Sequence, residues 1–256
     1  MKVITSLNEA QDFVSHFGEY TEGLIVALTG AGISTESGIP DFRSPGGIWS
    51  TRAPVQYQDF VSDEKSRLED WIRRFEMLAI FEKAQPNAAH EALYKMSATG
   101  CLDLLITQNV DGLHQRSGIP DVGMIELHGN STYASCLSCG THADIKTQKV
   151  VVDSGNSPRC IECDGLLKAA VVSFGQQMPL EALQEASIAA QTCELFVVLG
   201  SSLVVHPAAQ LPVLAVQGGA ELVILNAEET PLDSLASTVI RTPLAETFEG
   251  FAINQG

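Results

Sequence analysis

The chain has 256 residues, 45% hydrophobic and 18% charged, a balance that suits one large domain with a smaller satellite and argues against disorder. Its 31 acidic residues outnumber 15 basic ones, for a formal charge of −16; nucleic acid is therefore not an expected partner, whereas basic peptides, or simple solubility, fit the field. No apolar run approaches the ~20 residues that span a bilayer, and the opening MKVITSLNEA shows no secretory pattern, so the expectation is a cytoplasmic protein without a membrane partner.

In chain order, Ser6 is placed to cap a first helix, with Glu9 three residues on reaching back to it. An apolar run at 24–28 then breaks into Gly30-Ala31-Gly32. Similar runs recur at 102–106, 195–199 and 222–225, and continuous apolar runs of this length suit parallel strands covered on both faces. Helical patterns fall at 86–96, at 180–193 and at 207–217, the last stopped by Gly218 and Gly219. Alternating strand and helix predicts an α/β doubly wound parallel sheet. The runs end in Thr29-Gly30, in Thr107-Gln108-Asn109, in Gly200-Ser201-Ser202 and in Asn226. Polar and glycine residues thus gather at the strands' carboxyl ends, where open α/β sheets bind ligands. Two segments break the alternation, one helical and loop-rich (44–85) and one holding cysteines (131–167). Both are read as a smaller inserted domain, drawn as 44–96 with 131–167, leaving 1–43, 97–130 and 168–256 to the large one.

Of six cysteines, Cys136, Cys139, Cys160 and Cys163 form two C-x-x-C pairs, and Cys101 and Cys193 border apolar runs that suit core packing. Two such knuckles complete a tetrahedron of thiolates around Zn²⁺, with a redox pair and an iron–sulfur centre as the alternatives. Four sulfurs leave no open position, so the metal is expected to be structural. His142 lies nearby but is not needed.

Gly30-Ala31-Gly32 after a strand would let backbone N–H groups approach a pyrophosphate. As a dinucleotide fingerprint it is incomplete, because Thr35 stands where a third glycine belongs. The surrounding sequence is more specific. GAGISTESGIPDFRSPGGIW (30–49), TQNVDGLH (107–114), ELHGN (126–130), the cysteine pairs, VVSFG (171–175), GSSLVVHPAAQLP (200–212) and LNAEETP (225–231) occur in one order from about residue 22 to about residue 250. In this the chain resembles the sirtuin family of NAD-dependent protein-lysine deacylases.

The resemblance implies a Rossmann-type large domain, a small domain of helical module and zinc ribbon, and an active site between them. It assigns Gly30, Ala31, Gly32 and Ser34 to the NAD phosphates and adjoining ribose, and Asp41, Phe42 and Arg43 to a loop closing over the nicotinamide ribose. Gln108 and Asn109 would address that ribose, Val110 adjoins them, and Asp111 would hold the carboxamide. Gly200, Ser201, Ser202, Asn226 and Glu228, with Leu244, match the adenosine half. Val172, Phe174 and Gly175, facing Val204 and Val205, match two edges between which an acylated peptide adds as a strand.

The implied activity removes an acetyl group from lysine and releases nicotinamide, O-acetyl-ADP-ribose and free lysine. Asn109 and His128 are its catalytic candidates, His128 as the base for a ribose hydroxyl. His16, His90, His114, His142 and His206 are read as structural, and Trp49 and Trp71 as packing. Ala169 stands where many relatives have proline, and Gln176 replaces a usual glutamate; both are placed at the substrate groove. Trp71-x-x-Arg74 departs from the Tyr-x-x-Arg of relatives that take acidic acyl groups, and Arg74 is read as solvated, so small neutral acyl groups are expected. ADP-ribosyl transfer from the same site and a catalytically idle NAD sensor are the competing functions.

Overall fold

The protein's structure, a computed structural model, describes residues 1–19, 24–41 and 53–252. Its strands in chain order are β1 (Lys2–Ile4), β2 (Ile25–Thr29), β3 (Leu102–Thr107), β4 (Met124–Glu126), β5 (Gly129–Cys136), β6 (His142–Asp144), β7 (Leu167–Val171), β8 (Leu195–Leu199), β9 (Glu221–Leu225) and β10 (Thr238–Ile240). The helices are α1 (Leu7–Ser15), α2 (Tyr57–Ser62), α3 (Glu64–Phe81), α4 (Ala88–Ala98), α5 (Leu113–Ser117), α6 (Lys149–Asp153), α7 (Leu180–Thr192), α8 (Leu211–Gly218) and α9 (Leu244–Thr247).

Seven strands form one sheet in the order β1-β10-β9-β8-β2-β3-β4, and every pairing in it is parallel. The four apolar runs are its middle. Along β2, Ile25 and Ala27 enter one core cluster while Val26 and Leu28 enter another. Along β8, Leu195, Val197 and Leu199 face the first, and Phe196 and Val198 the second. Successive side chains of a strand point to opposite faces, and both faces here are covered. A polar residue would be buried on either side, so the runs are apolar apart from Asp103 in β3, the one position there that is exposed. Each fully buried side chain of this kind contributes on the order of 1.5–3 kcal/mol.

The order reverses at β2. From β2 the chain moves through β3 to β4 on one side, then returns as β8 on the other, which makes the carboxyl ends of β2 and β8 a topological switch point. A second sheet, β6-β5-β7, is antiparallel and carries the cysteines. Its core joins β5 and β7 to α3 through Trp71, Leu78, Ala134 and Leu167. Trp71 is thus a packing residue, as its sequence context suggested.

The first helix departs from expectation. Ser6 is its N-cap, yet the hydroxyl makes no capping bond, and Glu9 instead pairs with Lys2 at 2.8 Å. The Lys2 ammonium, on the first residue of β1, outcompetes the backbone N–H for that carboxylate. The expected helix at 207–217 begins as a 3-10 turn at Ala208–Gln210 before α8. Among the described residues, no helix is long and apolar enough to cross a membrane.

Candidate active site

At the switch point three glycines meet. A Cβ on Gly30 would stand 2.7 Å from the Gly200 carbonyl oxygen, one on Gly32 2.7 Å from the Gly200 Cα, and one on Gly200 2.3 Å from the Ile33 nitrogen. Gly200 also has φ +65, where side chains are strained. The two loops lock through backbone: the Gly30 N–H donates to the Leu199 carbonyl at 3.0 Å and the Gly32 N–H to that of Gly200 at 2.8 Å. The result is a smooth backbone floor at the mouth of β2 and β8, followed by a 3-10 helix at Ala31–Ser37. Such a floor fits a pyrophosphate, which needs close backbone approach.

The polar ends of β3 extend this floor. Asn109 donates from Nδ2 to the Gly30 carbonyl at 3.1 Å, and its own N–H donates to the Thr107 hydroxyl at 3.0 Å. Asp111 accepts from the Ser34 hydroxyl at 2.8 Å and from the Leu113 N–H at 2.9 Å. Burial raises the Asp111 carboxyl above its ordinary value, with these bonds and Arg116 opposing the shift. Gln108 donates from Nε2 to the Ser201 hydroxyl at 2.8 Å, tying β3 to the loop after β8.

His128 follows β4. Its Nδ1 lies 3.0 Å from the Gln108 carbonyl, which can only accept, so Nδ1 carries the proton and Nε2 the lone pair. Burial lowers the imidazole's pKa, the Gln108 bond partly opposing it. The ring is therefore neutral near pH 7. Gly129 behind it has φ +74, and a Cβ there would stand 2.0 Å from the Ala170 carbonyl oxygen. That contact is what demands glycine after the histidine.

These residues share one cleft of about 1170 Å³. Its wall includes Gly30, Ala31, Gly32, Asp41, Gln108, Asn109, Val110 and His128. It continues through Val172, Phe174, Gly175 and Val205 on one side and Gly200, Ser201, Ser202, Asn226, Glu228 and Leu244 on the other. Ser34 and Asp111, 1% and 7% exposed, lie behind the wall and brace it. Val204 is exposed and outside the lining. Phe42, Arg43 and Trp49 fall outside the described residues.

Two expectations are corrected. Arg74 is not solvated: it lines the cleft and reaches Asp70 at 3.3 Å, with side-chain exposures of 23% and 7%. Ala169 does not border the groove but is buried beside Leu167 in the small sheet's core. Gln176 does line the cleft, and its Oε1 accepts the Ser173 N–H at 3.1 Å. The sequence reading missed the α3 wall, built from Asp70, Arg74 and Met77. Their i, i+4, i+7 spacing marks one helical face, adjacent to the face that carries Trp71 and Leu78 into the core. Met178, Leu180 and Leu183 were also missed.

The five histidines read as structural hold no place beside His128, with one exception: His206 lines the cleft. His90 and His114 are buried with ring centroids 4.9 Å apart. Burial drives His90 down to about 4, and lowers His114 well below its ordinary value.

The ligand atoms of Cys136, Cys139, Cys160 and Cys163 all lie within 4.8 Å of one another, with Sγ separations of 3.5, 3.6 and 3.4 Å for three pairs. A disulfide would need ~2.05 Å. Four sulfurs about 2.3 Å from a central zinc stand about 3.8 Å apart, so the donor set fits a closed, structural tetrahedral site. Gly165 is required beside it, since a Cβ there would stand 2.9 Å from the Cys136 sulfur.

The sequence model of the Sir2 family matches residues 30–207. The chain is 45% identical over 251 residues to the NAD-dependent protein deacetylase of Rhodopseudomonas palustris, covering 98% of this chain and 97% of that protein. It is 47% identical over 230 residues to NAD-dependent protein deacetylase 1 of Bradyrhizobium diazoefficiens, covering 90% and 91%. Among solved structures, a Sir2 protein with a deacetylated p53 peptide and 3'-O-acetyl ADP ribose superposes with a TM-score of 0.83 at 37% identity, covering 97% of this chain and 96% of that one.

Proposed function

Because this chain belongs to the Sir2 family, we infer that it is an NAD-dependent protein deacetylase, releasing nicotinamide, O-acetyl-ADP-ribose and free lysine. NAD is its co-substrate, an acylated lysine in a protein its partner, and one zinc per chain its structural metal. The observation that carries the reading is the placement of His128. A neutral imidazole with Nδ1 committed to the Gln108 carbonyl opens into the same cleft as Asn109 and the glycine floor.

When bound, NAD supplies a ribose carbon bearing a cationic leaving group, nicotinamide, that an acyl oxygen can displace. The chain's residues do the rest. Gly30, Ala31 and Gly32 are proposed to hold the phosphates and adjoining ribose, and Gly200, Ser201, Ser202, Asn226, Glu228 and Leu244 the adenosine half. Ser34, buried behind the glycines and bonded to Asp111, braces that floor instead of touching NAD. Asn109, fixed by its bonds to Gly30 and Thr107, would orient the nicotinamide ribose together with Gln108. Asp111, braced by Ser34, would keep that end of the floor in place. His128 Nε2 takes a proton from a ribose hydroxyl, a step for which a pKa near working pH is suited. Val172 and Phe174 line the path of the acyl-lysine and limit water, and positioning of this kind can contribute ~7–11 kcal/mol.

The peptide is proposed to add as a strand along 172–175. The division into a large domain (1–43, 97–130, 168–256) and a small one (44–96 with 131–167) belongs to the same proposal and is supported by the two separate sheets, except that α4 packs Ala89, Leu93 and Met96 into the large sheet's core and so goes with the large domain. So does a cytoplasmic setting, where four thiols stay reduced. Mass spectrometry of products from NAD and an acetylated peptide tests the reading. O-acetyl-ADP-ribose is expected; ADP-ribosylated protein, or NAD left unchanged, overturns it.

A further inference from the structure

Among the described residues, no lysine or arginine is less exposed than Lys168, at 2%. It lies in β7 between Leu167 and Ala169, both in the small sheet's core. Its Nζ stands 5.8 Å from the centre of the Phe60 ring. Burial drives its pKa down to about 7; Arg74 adds to the shift and Asp70 opposes it. A nitrogen held this far from water must find acceptors. It finds two backbone carbonyls: that of Val171, in close contact, and that of Ala169 at 3.4 Å. Ammonium or amine, Nζ carries at least two N–H groups, so both acceptors are served in either state.

Val171 is where β7 ends and the cleft wall begins. The register of β7 on β5 shifts between Gly129 and Ala134, so the ladder is irregular just where the strand runs up to the cleft. Beyond this point the chain is held by single ties. The Val172 N–H donates to the His128 carbonyl at 2.8 Å and the Tyr57 N–H to the Phe174 carbonyl at 2.9 Å. Lys168 adds a donor from inside the core, at the foot of the same segment.

We propose that Lys168 is a positioning residue for the peptide substrate, holding the Val171 carbonyl so that 172–175 is presented as a preformed edge. The proposal rests on the reading of 172–175 as the edge to which the peptide adds. Strand addition draws its affinity from main-chain hydrogen bonds. Turning one peptide plane of the edge removes a partner from the incoming chain. With the Lys168 donor gone, the buried Val171 carbonyl would turn toward water, and the edge with it. Lys168 touches neither the acyl group nor the sugar-binding residues, so its effect falls on peptide affinity.

A purely structural lysine would behave differently, because replacing a buried charge by an apolar side chain of similar volume is often neutral for stability. The experiment uses the full zinc-loaded chain as wild type, Lys168→Met and Lys168→Arg. It measures KM and kcat for an acetylated peptide at saturating NAD, and for NAD at saturating peptide. Lys168→Met is expected to raise peptide KM about tenfold or more, while NAD KM and kcat stay within about threefold. Lys168→Arg, which keeps donors at the same place, should recover most of that loss. Unchanged peptide KM in Lys168→Met, or peptide and NAD constants rising together, would overturn the proposal. So would a folded Lys168→Arg as impaired as Lys168→Met. Amide hydrogen exchange on free wild type gives a reading that needs no variant: protection of the Val172 amide, bonded to the His128 carbonyl, is expected before peptide is added, and rapid exchange there overturns the preformed edge. Wild type that turns over no acetylated peptide would instead remove the deacetylase reading, with exchange still reporting on the clamp.

Discussion

The two walls of the cleft are built on opposite terms. On one, Gly30, Gly32 and Gly200 bring backbone against backbone with no room for a methyl group, and Asn109 locks onto it through Gly30. On the other, α3 presents the side chains of Asp70, Arg74 and Met77, joined by a long ion pair at 3.3 Å. A backbone surface has one solution for its sequence, whereas a helical face can exchange side chains without moving the helix. The glycine wall therefore suits the invariant half of a reaction, its nucleotide, and the α3 wall suits the variable half, the acyl group and peptide.

The contrast is broken most severely by removing the chemistry set between the walls. His128→Ala is expected to lower kcat by ~10²–10⁴-fold, the usual range for a lost general base, with NAD binding and the melting temperature retained. Turnover within a few-fold of wild type would reassign the base. Next comes the glycine wall. Gly200→Ala would drive a Cβ to 2.3 Å from the Ile33 nitrogen at φ +65; a rise in NAD KM of about tenfold or more, with a lower melting temperature, is the expected result. Gly38→Ala shares the positive φ but meets nothing within 4 Å, so it should cost about 1 kcal/mol and leave NAD KM alone. Equal effects of the two would show that φ, and not the contact between loops, is what matters.

Chelation sharpens the comparison from below. The small sheet supports the α3 wall, so zinc removal should lower peptide turnover by unfolding that sheet while NAD binding to the large sheet persists. Active protein with far less than one zinc per chain would contradict this. The pH profile follows from burial. The folded pKa of His128 is depressed, so its base form persists below pH 6.5 and the acid limb of kcat/KM should lie below that value. An acid limb above pH 6.5, lost in no other variant, would overturn the assigned tautomer and burial. The smallest effect is expected on the α3 wall. Arg74 already faces Asp70, so acetyl and propionyl lysine should turn over faster than succinyl or glutaryl, and Arg74→Met should change the acetyl rate less than about threefold. Faster succinyl turnover, abolished by Arg74→Met, would show that the pair opens for an acidic acyl group.

The sequence by itself determined the parts governed by local rules. Runs buried on both faces declared the strands β2, β3, β8 and β9, because parallel strands under helices leave few polar positions, here Asp103 alone within the runs. Two C-x-x-C pairs declared the zinc site, because each knuckle fixes two sulfurs regardless of what surrounds it. The ordered motifs declared the family, and with it the glycine floor and His128. Tertiary structure decided what depends on distant partners. The short strands β1 and β10, three residues each, carry too few side chains to show a pattern and exist through their pairing with each other and β9. Ser6 had the makings of a cap, but Lys2 took Glu9. Arg74 read as a solvated charge on a charged helix, and only the packing of Trp71 and Leu78 against the small sheet turned its face to the cleft. The burial of Lys168 could not be read from the sequence, since a buried lysine is defined by the acceptors that meet it, and those are backbone carbonyls placed by the fold of β7.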